Sequence, residues 1–480
     1  MNKDIEKGIK RLVIFFSICF FSIIGYLTYF NIFTADKIVT DPTNRRLAIY
    51  DNEYIRGSIL DRNGKPIATS KRNEKGTQDR TYTNGEAYAH VTGYSSYKYG
   101  KTGVELKYND ILQGRNFMYN VFGGMTKNIG DIITKKEKRG NDVCLTIDKA
   151  TQERAYKAMG TDKGGVAAIN PKTGEIIAMV STPSFNPQNI NENFDSLKND
   201  ERKPFINRAA QGYYPPGSVF KLVTTASFIE NENQSLDRTF NCNGKLKIGN
   251  YTLIDQNNKS HGKINLKNAF KYSCNYTFGS IGMELGYDRL KDSAEKFMFN
   301  KDIPLNQDYD TINIKSGGIS IGDKNDKAEL AQNAIGQNKV AANPMTMALV
   351  TSAIANNGVM MKPYIVKEVK NPYGFKISET VPQELTESIS RGTSDIIKDY
   401  MVETVKSGTG TNARIQGTTV AGKTGSAEDS SNNQSHSWFV AFAPAEDPQI
   451  AVAVIVENAG YGGGRAAEVA RETIKAYLNK

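Results

Sequence analysis

Ser95-x-x-Lys98, Ser218-x-x-Lys221 and Ser260-x-x-Lys263 each set a serine three residues ahead of a lysine. On a helix that spacing brings both side chains to one face, where a desolvated lysine amine can take the serine proton and leave the oxygen to attack a carbonyl. Histidine, the more common base for a serine nucleophile, is scarce: His90, His261 and His436 are the whole supply, and none has a context that suggests a triad. A serine-lysine pair is therefore the chemistry to look for.

Context separates the three copies. Only Ser218 follows Tyr213-Tyr214-Pro215-Pro216-Gly217 and leads, through Lys221, into an uncharged apolar run from Leu222 to Ile229, the pattern of a buried helix with proline and glycine before its first turn. A serine there sits at a helix N-terminus, whose N–H groups and dipole favour a developing anion. The other two copies lie among glycines and polar residues. Lys-Thr-Gly also recurs, at Lys101, Lys172 and Lys423, and the first two read as turns. Lys423-Thr424-Gly425 instead continues strand-like residues from Thr418 and leads to the apolar strand Ser437–Phe442. A lysine and a hydroxyl on a strand beside a glycine can hold a carboxylate while substrate lies along the backbone. Between the two motifs lies Ser273-Cys274-Asn275, able to relay a proton and hold a carbonyl, although Ser184-x-Asn186 repeats the spacing.

Holding such groups together takes a sizeable core, and 480 residues leave room for two or three folded units of about 150 residues each. With 39% hydrophobic and 23% charged residues the chain is too apolar to be disordered, and a mean hydropathy of −0.48 excludes a multi-span transporter. One segment stands apart. Leu12–Phe33 carries no charge, and about 22 residues at ~1.5 Å each cover roughly 33 Å, enough to cross a bilayer. Lys3, Lys7, Lys10 and Arg11 precede it, against Asp4 and Glu6, with no small-residue cleavage site after it. This predicts an uncleaved signal-anchor with the rest of the chain outside the cytoplasm, a signal peptide cut elsewhere being the alternative. The +10 net charge is scattered rather than gathered in an arm, and nucleic acid is not expected as a partner.

From the span to about Asn141 the sequence is polar and short-stranded. Arg56–Gly64 reads as a strand running into a turn, and Gly100–Glu105 as a second tight turn. Beyond Leu145 apolar strands and helical segments take over. Gly165–Ile169 and Glu175–Val180 flank the turn residues Asn170–Gly174, a hairpin, and three further strands are expected at Thr418–Ala427, Ser437–Ala443 and Gln449–Glu457, followed by an amphipathic helix at Ala466–Leu478. The pattern predicts an α+β domain with an antiparallel sheet and helices on its faces. Of the four cysteines, Cys19 lies in the span, and Cys144, Cys242 and Cys274 are too few for a disulfide scaffold. A metal site drawn from Cys242, His261, Cys274 or His436 is disfavoured because no pair has helical ligand spacing, so no metal and no cofactor are expected. Cys274 inside the second motif and Cys242 nearby leave two readings, a regulatory disulfide or small buried side chains.

Taken in order and context, Ser218-x-x-Lys221, Ser273-x-Asn275 and Lys423-Thr424-Gly425-Ser426 resemble the three motifs of penicillin-binding proteins and serine β-lactamases. Arg56–Gly64, Gly100-x-x-Gly103-x-Glu105, Leu145–Asp148 with Gln152, Ala334–Gln337 and Trp438-Phe439 narrow the resemblance to the class B penicillin-binding proteins of the 2/A-like, elongation or sporulation type. The resemblance implies a cytoplasmic tail at 1–11, a transmembrane signal-anchor at 12–33, a small β-rich pedestal at 34–144 and, at 145–480, a transpeptidase domain whose five-stranded antiparallel sheet is flanked by helices. It implies Ser218 as nucleophile for the D-Ala-D-Ala carbonyl of a peptidoglycan stem peptide, Lys221 as its base, Ser273 and Asn275 in proton relay and substrate holding, and Lys423, Thr424, Gly425 and Ser426 around the substrate carboxylate. The oxyanion would take the Ser218 and Ser426 N–H groups. β-Lactams would be trapped as the same ester, and a membrane glycosyltransferase of the shape, elongation, division and sporulation class would be the partner. A β-lactam sensor, a β-lactamase or a non-catalytic cell-wall scaffold are the alternative functions. Two departures stand out: Ser426 in place of the family's usual threonine, and Asn338 where glycine often follows Ala-Ile-Gly-Gln.

Overall fold

The computed structural model describes residues 3–30, 54–115, 138–231, 236–306, 312–429 and 432–479. The apolar N-terminal stretch forms helix α1 (Lys3–Tyr29), which starts earlier than the expected span because its charged first residues continue the same helix. Within Lys7–Tyr29 an 18-residue window has a mean hydropathy of 2.1, and the helix is long and apolar enough to cross a membrane. Its large side chains face outward, Phe21 being 70% exposed. Residues 31–33 of the expected span and residues 34–53 and 116–137 of the expected pedestal lie outside the described residues.

The pedestal is built on a six-stranded sheet, in the order Lys376–Glu379, Val366–Lys370, Asp142–Leu145, Ile59–Leu60, Pro66–Arg72, Gln78–Tyr82. Two of its strands come from far along the chain, so the sheet does not end at residue 144. Within this strand Val366 and Val369 are buried and the charged residues half-exposed, and Val369 pairs with Val143, which is buried in the same core. Gly100–Glu105 is not the single turn expected: Gly100–Lys101 pairs with Ser95–Ser96, and Gly103–Lys107 is a short helix. That helix carries Glu105, whose carboxylate is fully buried and accepts from Arg56 Nε at 2.7 Å and Arg80 Nε at 2.8 Å. Burial alone would push the Glu105 carboxyl up, but the Arg80 and Arg56 charges override it and hold it at about 2.

The second body is organised by five strands, β1 (Gly164–Ile169), β2 (Ile176–Thr182), β3 (Ala421–Asp429), β4 (Asn432–Ala443) and β5 (Ile450–Val456). They form an antiparallel sheet in the order β3-β4-β5-β1-β2. The expected hairpin is β1 and β2, and the three expected C-terminal strands are β3, β4 and β5. β3 begins at Ala421 rather than Thr418, because Thr418 closes a turn by donating its N–H to Ile415 O at 3.2 Å. The helices that matter are α2 (Lys149–Met159), α3 (Lys221–Asn231), α4 (Asn275–Lys296), α5 (Pro344–Ala355) and α6 (Arg465–Tyr477). β5 is apolar and buried at every position because both sheet faces are covered. Ala451, Ala453 and Ile455 pack in one core with Met345 and Ala348 of α5, while Val452 and Val454 pack in another with Met159 of α2 and Ile474 of α6. Gln152 of α2 joins this body to the pedestal side, donating Nε2 to Ala87 O at 2.6 Å and to Met179 O at 2.8 Å.

Candidate active site

Ser218 stands on a single turn of 3₁₀ helix, Gly217–Phe220, that runs into α3. Ser218 thus lies at the N-terminal end of this helical segment, on a 3₁₀ turn that precedes the α-helix proper. Three contacts fix that turn. Trp438 Nε1 of β4 donates to Pro215 O at 3.0 Å, and Gly217 N donates to Gly336 O at 2.8 Å. Gly217 has φ +55° and lies so close to β3 that a Cβ there would meet Ser426 O at 2.5 Å. The Ala334–Gln337 segment and Trp438 thus act as the seat of Ser218. Asn338, the departure noted above, takes φ +60°, a left-handed conformation asparagine tolerates better than most residues, so the turn survives without glycine.

Ser218, half-buried, opens onto a cavity of ≈ 630 Å³ that Ser273, Asn275, Thr424, Gly425 and Ser426 also line. Lys221, wholly buried, points its amine at the second motif and donates to Ser273 O at 2.7 Å, Asn275 Oδ1 at 2.8 Å and Ser273 Oγ at 3.2 Å. From β3, the equally buried Lys423 donates to the same Ser273 Oγ at 2.9 Å and to Thr424 O at 3.0 Å. All eight residues expected at the site, from Ser218 to Ser426, are gathered by these contacts and this cavity. Burial lowers the Lys221 amine to about 8. Burial and then the Lys221 charge push Lys423 well below the ordinary lysine range. A hydroxyl between two amines can donate only to a neutral one, so this geometry lets Ser273 pass a proton between them.

The Ser273 backbone is held in the left-handed region at φ +60°, between the short helix Leu266–Lys271 and α4, which Cys274 caps by accepting the Thr277 N–H. Asp255, 2% exposed, holds this bend: its Oδ1 accepts the Asn275 N–H and, at 3.3 Å, the Tyr276 N–H. Asn275 Nδ2 donates to Ile254 O at 2.9 Å, which turns Oδ1 toward Lys221. The Thr409 hydroxyl meets the Thr424 hydroxyl at 2.8 Å. Asp255 and Thr409 escape sequence reasoning because each lies in a loop, without motif or periodicity.

The competing motifs fall away from this centre. Ser95 and Ser96 lie on a strand and Ser260 precedes one, so neither pair has helical spacing. Lys172-Thr173-Gly174 is the β1–β2 turn. His90 Nε2 bonds to Pro204 O at 2.9 Å and burial lowers it to about 4, while His436 Nδ1 accepts the Asn458 N–H at 3.1 Å. Cys242 and Cys274 are free, buried thiols. They are not dispersed, however: spacing argued against a shared cluster, yet Cys242, His261 and Cys274 meet with Asp255 just behind the second motif, without His436.

The penicillin-binding protein transpeptidase domain matches residues 164–475, and the penicillin-binding protein A dimerisation domain matches residues 56–143. The chain belongs to the penicillin-binding protein transpeptidase family. It is 32% identical over 506 residues to the peptidoglycan D,D-transpeptidase PbpA of Mycolicibacterium smegmatis, covering 99% of each chain. Its fold is similar to that of penicillin-binding protein A from M. tuberculosis in its imipenem acyl-enzyme complex, with a TM-score of 0.80 and 31% identity, covering 89% of this chain and all of that one. The D,D-transpeptidase domain of a peptidoglycan glycosyltransferase from Eggerthella lenta aligns with a TM-score of 0.79 at 34% identity, over 89% of this chain and 99% of that one. As a penicillin-binding protein, the chain combines an N-terminal apolar helix, a dimerisation-type pedestal and a transpeptidase domain around a five-stranded antiparallel sheet.

Proposed function

We propose that this chain is a membrane-anchored peptidoglycan D,D-transpeptidase that works through an acyl-serine and is acylated by β-lactams. The observation that carries the reading is the convergence of Lys221 and Lys423 on Ser273 Oγ, on the wall of the cavity that Ser218 shares. Ser218 Oγ attacks the carbonyl between the two terminal D-alanines of a stem peptide while neutral Lys221 takes its proton. The oxyanion takes the Ser218 and Ser426 N–H groups. Ser273 delivers a proton to the leaving amine, the C–N bond breaks and D-alanine departs. Asn275 holds the substrate and Lys221, and Lys423 with Thr424 and Ser426 holds the terminal carboxylate beside the narrow Gly425. An amine of a second strand then attacks the ester, forming the cross-link and freeing Ser218. In a β-lactam the leaving amine stays tethered, so the ester persists.

The same reading assigns residues 1–11 to a cytoplasmic tail, 12–33 to the anchor, 34–144 to the pedestal and 145–480 to the transpeptidase domain outside the cytoplasm. A glycosyltransferase of the shape, elongation, division and sporulation class would supply the strands. The test is labelling of the full-length chain in detergent with a fluorescent penicillin. Wild type should form a long-lived adduct and Ser218→Ala none; fast turnover of the label would mean a β-lactamase, and no adduct on folded wild type would mean a scaffold.

A further inference from the structure

The cavity beside Ser218 carries a charge that the proposed reaction does not use. Its ≈ 630 Å³ are lined by the carboxylates Asp255 and Glu428 and by no lysine or arginine, because Lys221 and Lys423 are wholly buried behind Ser273. Asp255 is engaged by the Asn275 and Tyr276 N–H groups. Glu428 is exposed, and among the described residues no hydrogen bond or ion pair engages its carboxylate. Tyr251, 37% exposed, opens the strand Tyr251–Ile254 on the same cavity, and burial and then the Glu428 charge raise its phenol above the ordinary tyrosine value. A carboxylate within electrostatic reach of an aromatic ring suits a primary ammonium, which pairs with the one and lies over the face of the other.

We propose that Glu428 and Tyr251 form a subsite for the side-chain ammonium of the residue that precedes D-Ala-D-Ala in the donor stem peptide, so that the enzyme favours donors in which that amine is free. The proposal rests on the transpeptidase reading, which fixes the direction of the donor. β3 is the edge strand of the five-stranded sheet, where an extended peptide can lie along the backbone. With the terminal carboxylate at Lys423 and Thr424 and the scissile carbonyl at the Ser426 N–H, the donor runs along β3 from Thr424 toward Glu428. Thr424, Ser426 and Glu428 all line the cavity, at the two-residue spacing of one strand face. Glu428 lies two residues, about 7 Å, beyond the oxyanion hole, a distance that a side chain of lysine length spans. The second strand's amine does not reach this subsite, because it attacks the ester where the D-alanine amine left, at the Thr424 end. Acylation of the donor's side-chain amine removes its charge and leaves Glu428 facing a neutral amide. Stems already cross-linked through that amine are therefore poor donors.

The test uses the full-length chain in detergent and three penicillins that share one acyl chain, ended by a primary ammonium, by its acetamide or by a carboxylate. That acyl chain stands where the residue before D-Ala-D-Ala would. Second-order acylation rates are read by competition with a fluorescent penicillin. Wild type should take the ammonium form about fivefold faster than the acetamide, the upper range for an ion pair open to solvent, and the carboxylate form slowest. Added salt should narrow the spread. Glu428→Gln should bring the three rates together, and Tyr251→Leu should shrink the ammonium preference about twofold. Glu428→Lys should reverse the order, a result that no general loss of folding can give. Equal rates in wild type, or a preference that survives in Glu428→Gln, would overturn the subsite while the acyl-serine reading stands; no labelling by any of the three would overturn both. In a second arm, a neutral thioester donor forms the ester, and its partition between water and added D-alanine is compared in wild type and Glu428→Gln. A change there without one in acylation would put the ammonium on the second strand and overturn the donor assignment.

Discussion

Replacing Gly336 by alanine tests whether the backbone behind Ser218, rather than the motif residues alone, sets the reaction geometry. Gly336 has φ +74°, and a Cβ there would meet Gly217 O at 2.2 Å and Phe220 Cβ at 2.7 Å. Real Cβ contacts essentially never fall under 3.0 Å, so 3.0 − 2.2 demands a movement of about 0.8 Å by the peptide that precedes Ser218. The shift also strains the Gly217 N–H bond to Gly336 O, worth about 1 kcal/mol, and the left-handed alanine adds about 1–2 kcal/mol. Stability should therefore fall by roughly 2–3 kcal/mol, while a displacement of this size at a nucleophile costs on the order of 100-fold in rate. Gly374→Ala is the control: it shares the left-handed conformation, φ +86°, but a Cβ there meets nothing within 4 Å. It should lose about 1–2 kcal/mol and keep full activity. The assay is the second-order rate of acylation by a fluorescent penicillin, read beside urea unfolding. A folded Gly336→Ala protein that acylates within roughly threefold of wild type would refute the argument that a shift of this size is felt at Ser218.

Two further outcomes follow from buried charges. Burial lowers Lys221 to about 8, and in the proposed mechanism only its neutral amine can accept the Ser218 proton. Acylation should therefore rise about tenfold per pH unit below that value and level off above it, and a flat profile from about pH 6 to 9 would remove Lys221 as the base. In the pedestal, Glu105→Gln would leave Arg56 and Arg80 buried against a neutral partner, a loss of about 3–5 kcal/mol that urea unfolding should register. The Glu105 carboxyl is held at about 2, below its ordinary 4.5, so its stabilisation is whole above pH 4.5 and disappears as pH falls through 2. The acid-induced loss of stability in that window should be shallower in the glutamine variant.

Much of the catalytic body was legible because local signals and tertiary demands agree. The turn residues Asn170–Gly174 between apolar runs produced the β1–β2 hairpin, and the uncharged run after Lys221 produced a buried helix. Lys423 was distinguishable from the other Lys-Thr-Gly copies because strand-like residues surround it. What stayed hidden is non-local. Val366–Lys370 joins the pedestal sheet across more than two hundred residues of chain, and no local periodicity names its partner. Asp255 matters only because the bend at Ser273 brings two N–H groups to it, and Cys242 meets Cys274 through pairing between short strands rather than through helical spacing.

The paired lysines also explain why such a site would wait for an anionic substrate. Each amine lies fully buried, and each disfavours the other's charge, so the empty site cannot comfortably hold two protons. Lys221 has three oxygen acceptors around its amine, whereas Lys423 has Ser273 Oγ and Thr424 O. In the proposed reaction, a carboxylate settling beside Thr424 and Ser426 supplies the negative charge that Lys423 lacks. Lys423 then keeps its proton more readily, and its charge in turn favours the neutral form of Lys221. Substrate binding thus separates two similar amines into a holder of charge and an acceptor of the Ser218 proton, with Ser273 Oγ between them. The division of labour arises from which lysine the carboxylate can reach, and β3 decides that by carrying Lys423, Thr424 and Ser426 on one strand.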